Sequence, residues 1–181
     1  MARPEKTAQT ERADAAHAPV RMVCFRLAGQ RFAIPVDAVA EVIPHRPVTR
    51  VPFTPSVVAG VINLRGDVVS VLDLGELLGL GRTKVAEGTC IVIVRAAGRT
   101  GGVLVDRIDE MRSFDPRKIE PKPPVGAARA AALVSGVVTL TEPEDEAGAP
   151  CSVLDMQVAF GLEELLGADR AGGVAGRHEA S

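Results

Sequence analysis

The chain has no tryptophan, no tyrosine and only five phenylalanines among 181 residues. Proteins that hold single-stranded nucleic acid stack bases on aromatic rings, and those that hold a duplex carry a basic stripe. With a formal net charge of −2 and no such stripe, the sequence argues against a DNA or RNA partner. The cysteines are odd in number and far apart (Cys24, Cys90 and Cys151), and each lies in an apolar segment. They read as small buried hydrophobes, not as a disulfide framework. His17, His45 and His178 are equally dispersed, so no Cys/His spacing suggests zinc and no metal or other cofactor is expected. No apolar run approaches the roughly 20 residues that span a bilayer. The first residues also lack the apolar centre of a signal peptide, so a cytoplasmic protein without membrane insertion is expected.

What is present is a real supply of apolar residues, 46% of the chain, dominated by valine in its longest runs. That favours strands. The most informative feature is an internal repeat. VCFRLAGQRFAIPVDAVAEVI, from Val23, has a counterpart in VIVRAAGRTGGVLVDRIDEMR, from Val92. Gly29 matches Gly98, Asp37 matches Asp106, Val39 matches Ile108 and Glu41 matches Glu110, all at an offset of 69. Further on, VAGVINLRGDVVSVLDL resembles VSGVVTL and CSVLDM, with TEPEDEAGAP lengthening the second copy's loop. Each copy reads as a hairpin, an extended stretch, a second hairpin and a short helix. Pro35 fits a strand end, where its missing donor is tolerated. The near-continuous apolar VVSVLDL suggests a central strand buried on both faces. Helices are expected over Leu74 to Leu80 and Val158 to Leu166, stopped by glycines. Residues 1–19 and 168–181 read as tails without periodicity.

Catalytic constellations are missing. AAGRTGG (96–102) has three glycines but no Walker lysine and no following helix, so a hairpin turn is expected there. Asp73 and Asp155 precede the two helices and read as N-caps. Glu41 interrupts the apolar AVAEVI, and Arg65 follows GVINL at a turn. Such a pair on neighbouring strands fixes two hairpins through charge-assisted hydrogen bonds, the alternative being that both point to water.

The ordered set FRLAGQRFAIPVDAVAEVI, VPFTPSVVAGVINLRGDVVSVLDL, GGVLVDRIDEM and SGVV…VLDM resembles the CheW-like domain over roughly residues 22–167. Its most specific piece is Pro52 and Pro55 followed by Gly60 to Gly66 and Asp73-Leu74. The resemblance implies an all-β chain of two intertwined five-stranded SH3-like β-barrels with short helices. One subdomain is expected over 20–82 and the second over 83–167, with strands exchanged between them. It implies a non-catalytic adaptor between the cytoplasmic hairpin tip of a chemoreceptor and the regulatory domain of a CheA-type histidine kinase, or a related scaffold of another sensory or motility pathway. A receptor groove is implied at Val39, Glu41, Arg65, Cys90, Ile108 and Met111, with Gly60, Asn63 and Gly66 shaping the supporting turn. Ser70 stands where relatives usually have proline, Cys90 replaces a usually aliphatic residue, and the acidic run Glu142 to Ala149 enlarges one loop.

Overall fold

A computed structural model describes residues 18–96, 98–121, 129–140 and 148–162. Strands dominate: β1 (Val20–Leu27), β2 (Gln30–Pro35), β3 (Val39–Pro44), β4 (Val58–Leu64), β5 (Asp67–Asp73), β6 (Cys90–Ala96), β7 (Arg99–Val105), β8 (Arg107–Phe114), β9 (Glu120–Pro121), β10 (Val134–Thr139) and β11 (Pro150–Leu154). The helices are short: α1 (Leu74–Leu77), α2 (Arg129–Leu133) and α3 over residues 156–162. Nearly all of the expected tails, most of the acidic run and the end of the helix expected over Val158 to Leu166 lie outside the described residues, as do Leu165, Leu166 and Gly167.

The repeat is visible in the elements. Moving 69 residues along the chain carries β1, β2 and β3 onto β6, β7 and β8 to within a residue or two at their ends. Each hairpin turns where glycine takes positive φ, at Gly29 (78°) and Gly98 (72°), conformations a Cβ disfavours. The copies do not form separate sheets. One sheet has the order β8-β1-β2-β11-β10-β9 and the other β3-β6-β7-β5-β4. Each therefore combines the first hairpin of one copy with the later strands of the other. The two joints are equivalent parallel ladders, Arg31–Ala33 of β2 beside Cys151–Val153 of β11, and Gly102–Leu104 of β7 beside Val71–Asp73 of β5.

Three apolar clusters hold this arrangement. The largest lies between the sheets and draws on both, with Phe25, Phe32, Leu72, Val92, Leu133 and Phe160 among its members. Phe25 and Phe32 stack at a centroid separation of 6.1 Å. A second cluster belongs to the six-stranded sheet, joining Met22, Cys24, Phe114, Val138 and Cys151. The third belongs to the five-stranded sheet and includes Ile43 of β3 together with Ile62 of β4, strands at opposite ends of the ladder. That sheet must curl for its two edges to share one cluster.

The structure adds detail to these expectations and departs from some. One sheet has six strands, not five, because the two-residue β9 adds itself beyond β10. No pairing closes either ladder into a barrel among the described residues. The interior strand β5 is buried or half-buried from Val69 onward and not at its start. Asp67 and Val68, where the β4–β5 hairpin projects past the core, are exposed. α1 is a single turn, ended by Gly79 with φ of 74°.

Asp73 caps α1 as expected and does more. Its carboxylate accepts from the Glu76 and Thr83 N–H groups and, at 2.9 Å, from the Thr83 hydroxyl, while the residue is 5% exposed. It thereby ties the loop after α1 to the end of β5. Gly60 has a different task. With φ of 147°, it lets the preceding loop lie against β4, and a Cβ there would sit 2.3 Å from the Thr49 carbonyl oxygen. Asp155 likewise accepts from the Gln157 N–H at the start of α3.

Two outcomes follow for equilibrium denaturation. Asp73→Ala orphans three donors beside the core and is expected to lower stability by about 2–3 kcal/mol. Gly60→Ala combines a backbone clash with a conformation alanine disfavours, and is expected to cost about 2 kcal/mol or more. A loss under about 0.5 kcal/mol in either variant contradicts the assigned role.

Candidate functional site

β3 and β8 occupy corresponding places in the two sheets: among the described residues each is an edge strand, paired on one side only. Each also carries a bulge, and the bulges are repeat-related. In β3 the extra residue is Ala40, between the pairs Val39↔Val94 and Glu41↔Ile93. In β8 it is Asp109, between Phe25↔Ile108 and Cys24↔Glu110. An extra residue reverses the alternation of side chains along a strand. Val39 and Val42, three positions apart, therefore share one face, and so do Ile108 and Met111. That face is the one toward the large cluster, against which Val39 and Ile108 pack. Val42 and Met111 stay 42% and 60% exposed.

Between these edges lies an open groove of about 690 Å³, lined by residues 42–44 and 87–90 with Arg107 and Ile108, so that its apolar wall is edged by Glu87, Thr89 and Arg107. Cys90 is buried there, and burial raises its thiol pKa.

On the other face of β3, Glu41 pairs with Arg65. The Arg65 Nη2 donates to Glu41 Oε2 at 2.8 Å, joining β3 to the β4–β5 turn. Arg65 and Gly66 both have positive φ, 57° and 100°, the signature of a type I′ hairpin turn, whose first corner ordinarily takes Asn, Asp or Gly. Asn63 supports it by accepting the Gly66 N–H at 2.9 Å. An arginine in this strained place keeps its side chain 78% exposed beside the 27%-exposed Glu41. An ion pair so exposed adds under about 1 kcal/mol to the fold. Its charges remain presented at the surface.

The residues nominated from sequence thus occupy two sides of the β3 edge. Cys90 and Ile108 line the groove, while Val39 packs against the large cluster and Met111 lies further along β8. Glu41 and Arg65 line a separate hollow with Leu64, Val69 and Arg95. The bulge at Ala40 separates them, since Val39 and Glu41 would otherwise point the same way. Val42 was missed. It is the repeat partner of Met111 at the same offset of 69 and could have been found by that symmetry. Cys24 and Cys151 sit apart from the groove in the second cluster and hydrogen-bond one another, which lowers the pKa of Cys24 and raises that of Cys151. Among the described residues, no three His, Cys, Asp or Glu side chains are grouped to hold a metal ion, and no helix is long and apolar enough to cross a membrane.

Comparison with known proteins agrees with this architecture. The family model for the CheW-like domain matches residues 21–164. The chain is 29% identical over 119 residues to the chemotaxis protein CheW of Rhizobium meliloti, covering 66% of this chain and 77% of that one. It is 34% identical over 115 residues to protein FrzA of Myxococcus xanthus, covering 64% and 71%. Among solved structures, the scaffolding protein TtCheW of Thermoanaerobacter tengcongensis superposes with a TM-score of 0.70 at 30% identity, covering 78% of this chain and 88% of that one. A match over most of the chain, with the same fold, settles the family: this protein belongs to the CheW-like domain family.

Proposed function

We propose that this CheW-family chain is a non-catalytic scaffold of chemosensory signalling that joins the cytoplasmic hairpin tip of a chemoreceptor to the regulatory domain of a CheA-type histidine kinase. The observation that carries the reading is the groove between the β3 and β8 edges. Two repeat-related bulges put Val39 with Val42, and Ile108 with Met111, on one face of each edge strand, and Val42 and Ile108 of these pairs line the groove. An amphipathic helix presents apolar residues three and four apart, which suits a groove bordered by one apolar residue of each pair with the other close by on the same strand face. Met111 adds an adaptable side chain. Arg65 and Glu41, across the β3 edge, supply the polar contacts that set the helix's register.

The kinase takes a separate surface on this reading, and the scaffold works in the cytoplasm at receptor arrays. The sheets are the walls of two SH3-like barrels, an assignment supported by the private cluster each one encloses.

The test is a reconstituted mixture of receptor, kinase and this protein. Arg65→Glu is expected to leave the melting temperature within a few degrees of wild type and to lower receptor-dependent kinase activation at least about tenfold, an interface loss of about 1.4 kcal/mol or more. Activation unchanged by a folded Arg65→Glu variant rejects the site.

A further inference from the structure

Phe53 stands away from the groove, in the loop between β3 and β4, and is 98% exposed. It also has φ of 63°, at the second corner of a turn begun by Pro52. That position ordinarily takes glycine or asparagine, so phenylalanine is a poor choice for the local backbone and, in water, a poor choice for the surface. The loop presenting it is nevertheless held in place. Thr49 and Val61 exchange backbone hydrogen bonds of 2.9 and 2.8 Å, over the space Gly60 leaves. The Thr54 hydroxyl donates to the Val51 carbonyl at 2.8 Å, and Val58 N–H to the Pro55 carbonyl at 3.0 Å. Arg46 and Arg82 donate to the carbonyls of Asn63 and Ser56, both at 3.2 Å.

The charge around the tip is one-sided. Residues 42–64 include Arg46 and Arg50 but no aspartate or glutamate, in a chain whose net charge is −2. Val51, also exposed, adds a second apolar side chain close by. We propose that this loop is a second docking surface, in which Phe53 enters an apolar pocket ringed by carboxylates on a protein partner. A rigidly presented aromatic flanked by arginines is the combination that dominates interface energetics, and the fixed loop loses little entropy on binding. Adsorption to an anionic membrane fits less well. Surface-bound segments carry about four to eight cations and a broad apolar face, against two arginines and two apolar side chains here.

The test places p-benzoylphenylalanine at position 53 of the full chain in its native cells. The protein cross-linked on irradiation is then purified and titrated against wild type, Phe53→Asn and Arg50→Glu at low and high salt. The expected result is a partner whose affinity falls at least about tenfold with Phe53→Asn, and less steeply with Arg50→Glu and with added salt. Phe53→Asn is expected to melt at the same or a higher temperature, because asparagine tolerates the positive φ. That opposition of stability and binding separates docking from a structural role. Absence of an adduct, adducts only with lipid or a second copy of this chain, affinity indifferent to Phe53→Asn, or a lowered melting temperature overturns the proposal.

Discussion

Everything in this molecule depends on two parallel ladders, β2 beside β11 and β5 beside β7. Parallel neighbours need a long connection, and here much of the chain supplies it: each joint locks a hairpin of one repeat copy to the final strand of the other. Neither sheet can form from one copy alone. The shared cluster around Phe25, Leu72, Val92 and Leu154 is the energetic counterpart of that exchange, because it draws on both sheets. A change that loosens either joint is felt across the whole interior.

The same exchange produces the candidate site. Since the third strand of each copy ends a ladder, β3 and β8 both become edges, and a bulge at the equivalent place in each turns apolar residues toward the space between the sheets. Bulges also discourage unwanted strand pairing along such edges. The symmetry is broken by the Glu41–Arg65 pair, which links β3 to the β4–β5 turn. In β8 the corresponding Glu110 pairs with Arg112 on its own strand. One edge is therefore tied by its ion pair to a hairpin turn, while the other keeps its ion pair within the strand, which gives an otherwise symmetric groove a direction.

Much of this was legible in the sequence, for identifiable reasons. Hairpins announce themselves through alternation and glycine turns, so β1–β2 and β4–β5 were readable, as were the caps at Asp73 and Asp155. The Glu41–Arg65 pair was readable because a charge in an apolar strand needs a partner. Sheet membership was not written locally. Nothing in residues 31–33 signals that they lie beside 151–153, and such distant pairings leave no periodic trace. The bulges at Ala40 and Asp109 were invisible for a related reason, as one extra residue changes which way side chains point without altering composition. That is why Val42 was missed and why Val39 and Glu41 were grouped together. The start of β5 departs in the opposite direction, since its apolar run implies burial whereas its hairpin extends beyond the core.

The central claim is that the groove between the β3 and β8 edges receives a receptor helix. Methyl-labelled protein titrated with a purified receptor hairpin tip tests it most directly by NMR. The account predicts that the methyl resonances of Val39, Val42, Ile108 and Met111 shift together and saturably, while those of Val138 and Val153, buried in the second cluster, stay in place. Saturable shifts elsewhere, with these four unmoved, contradict it.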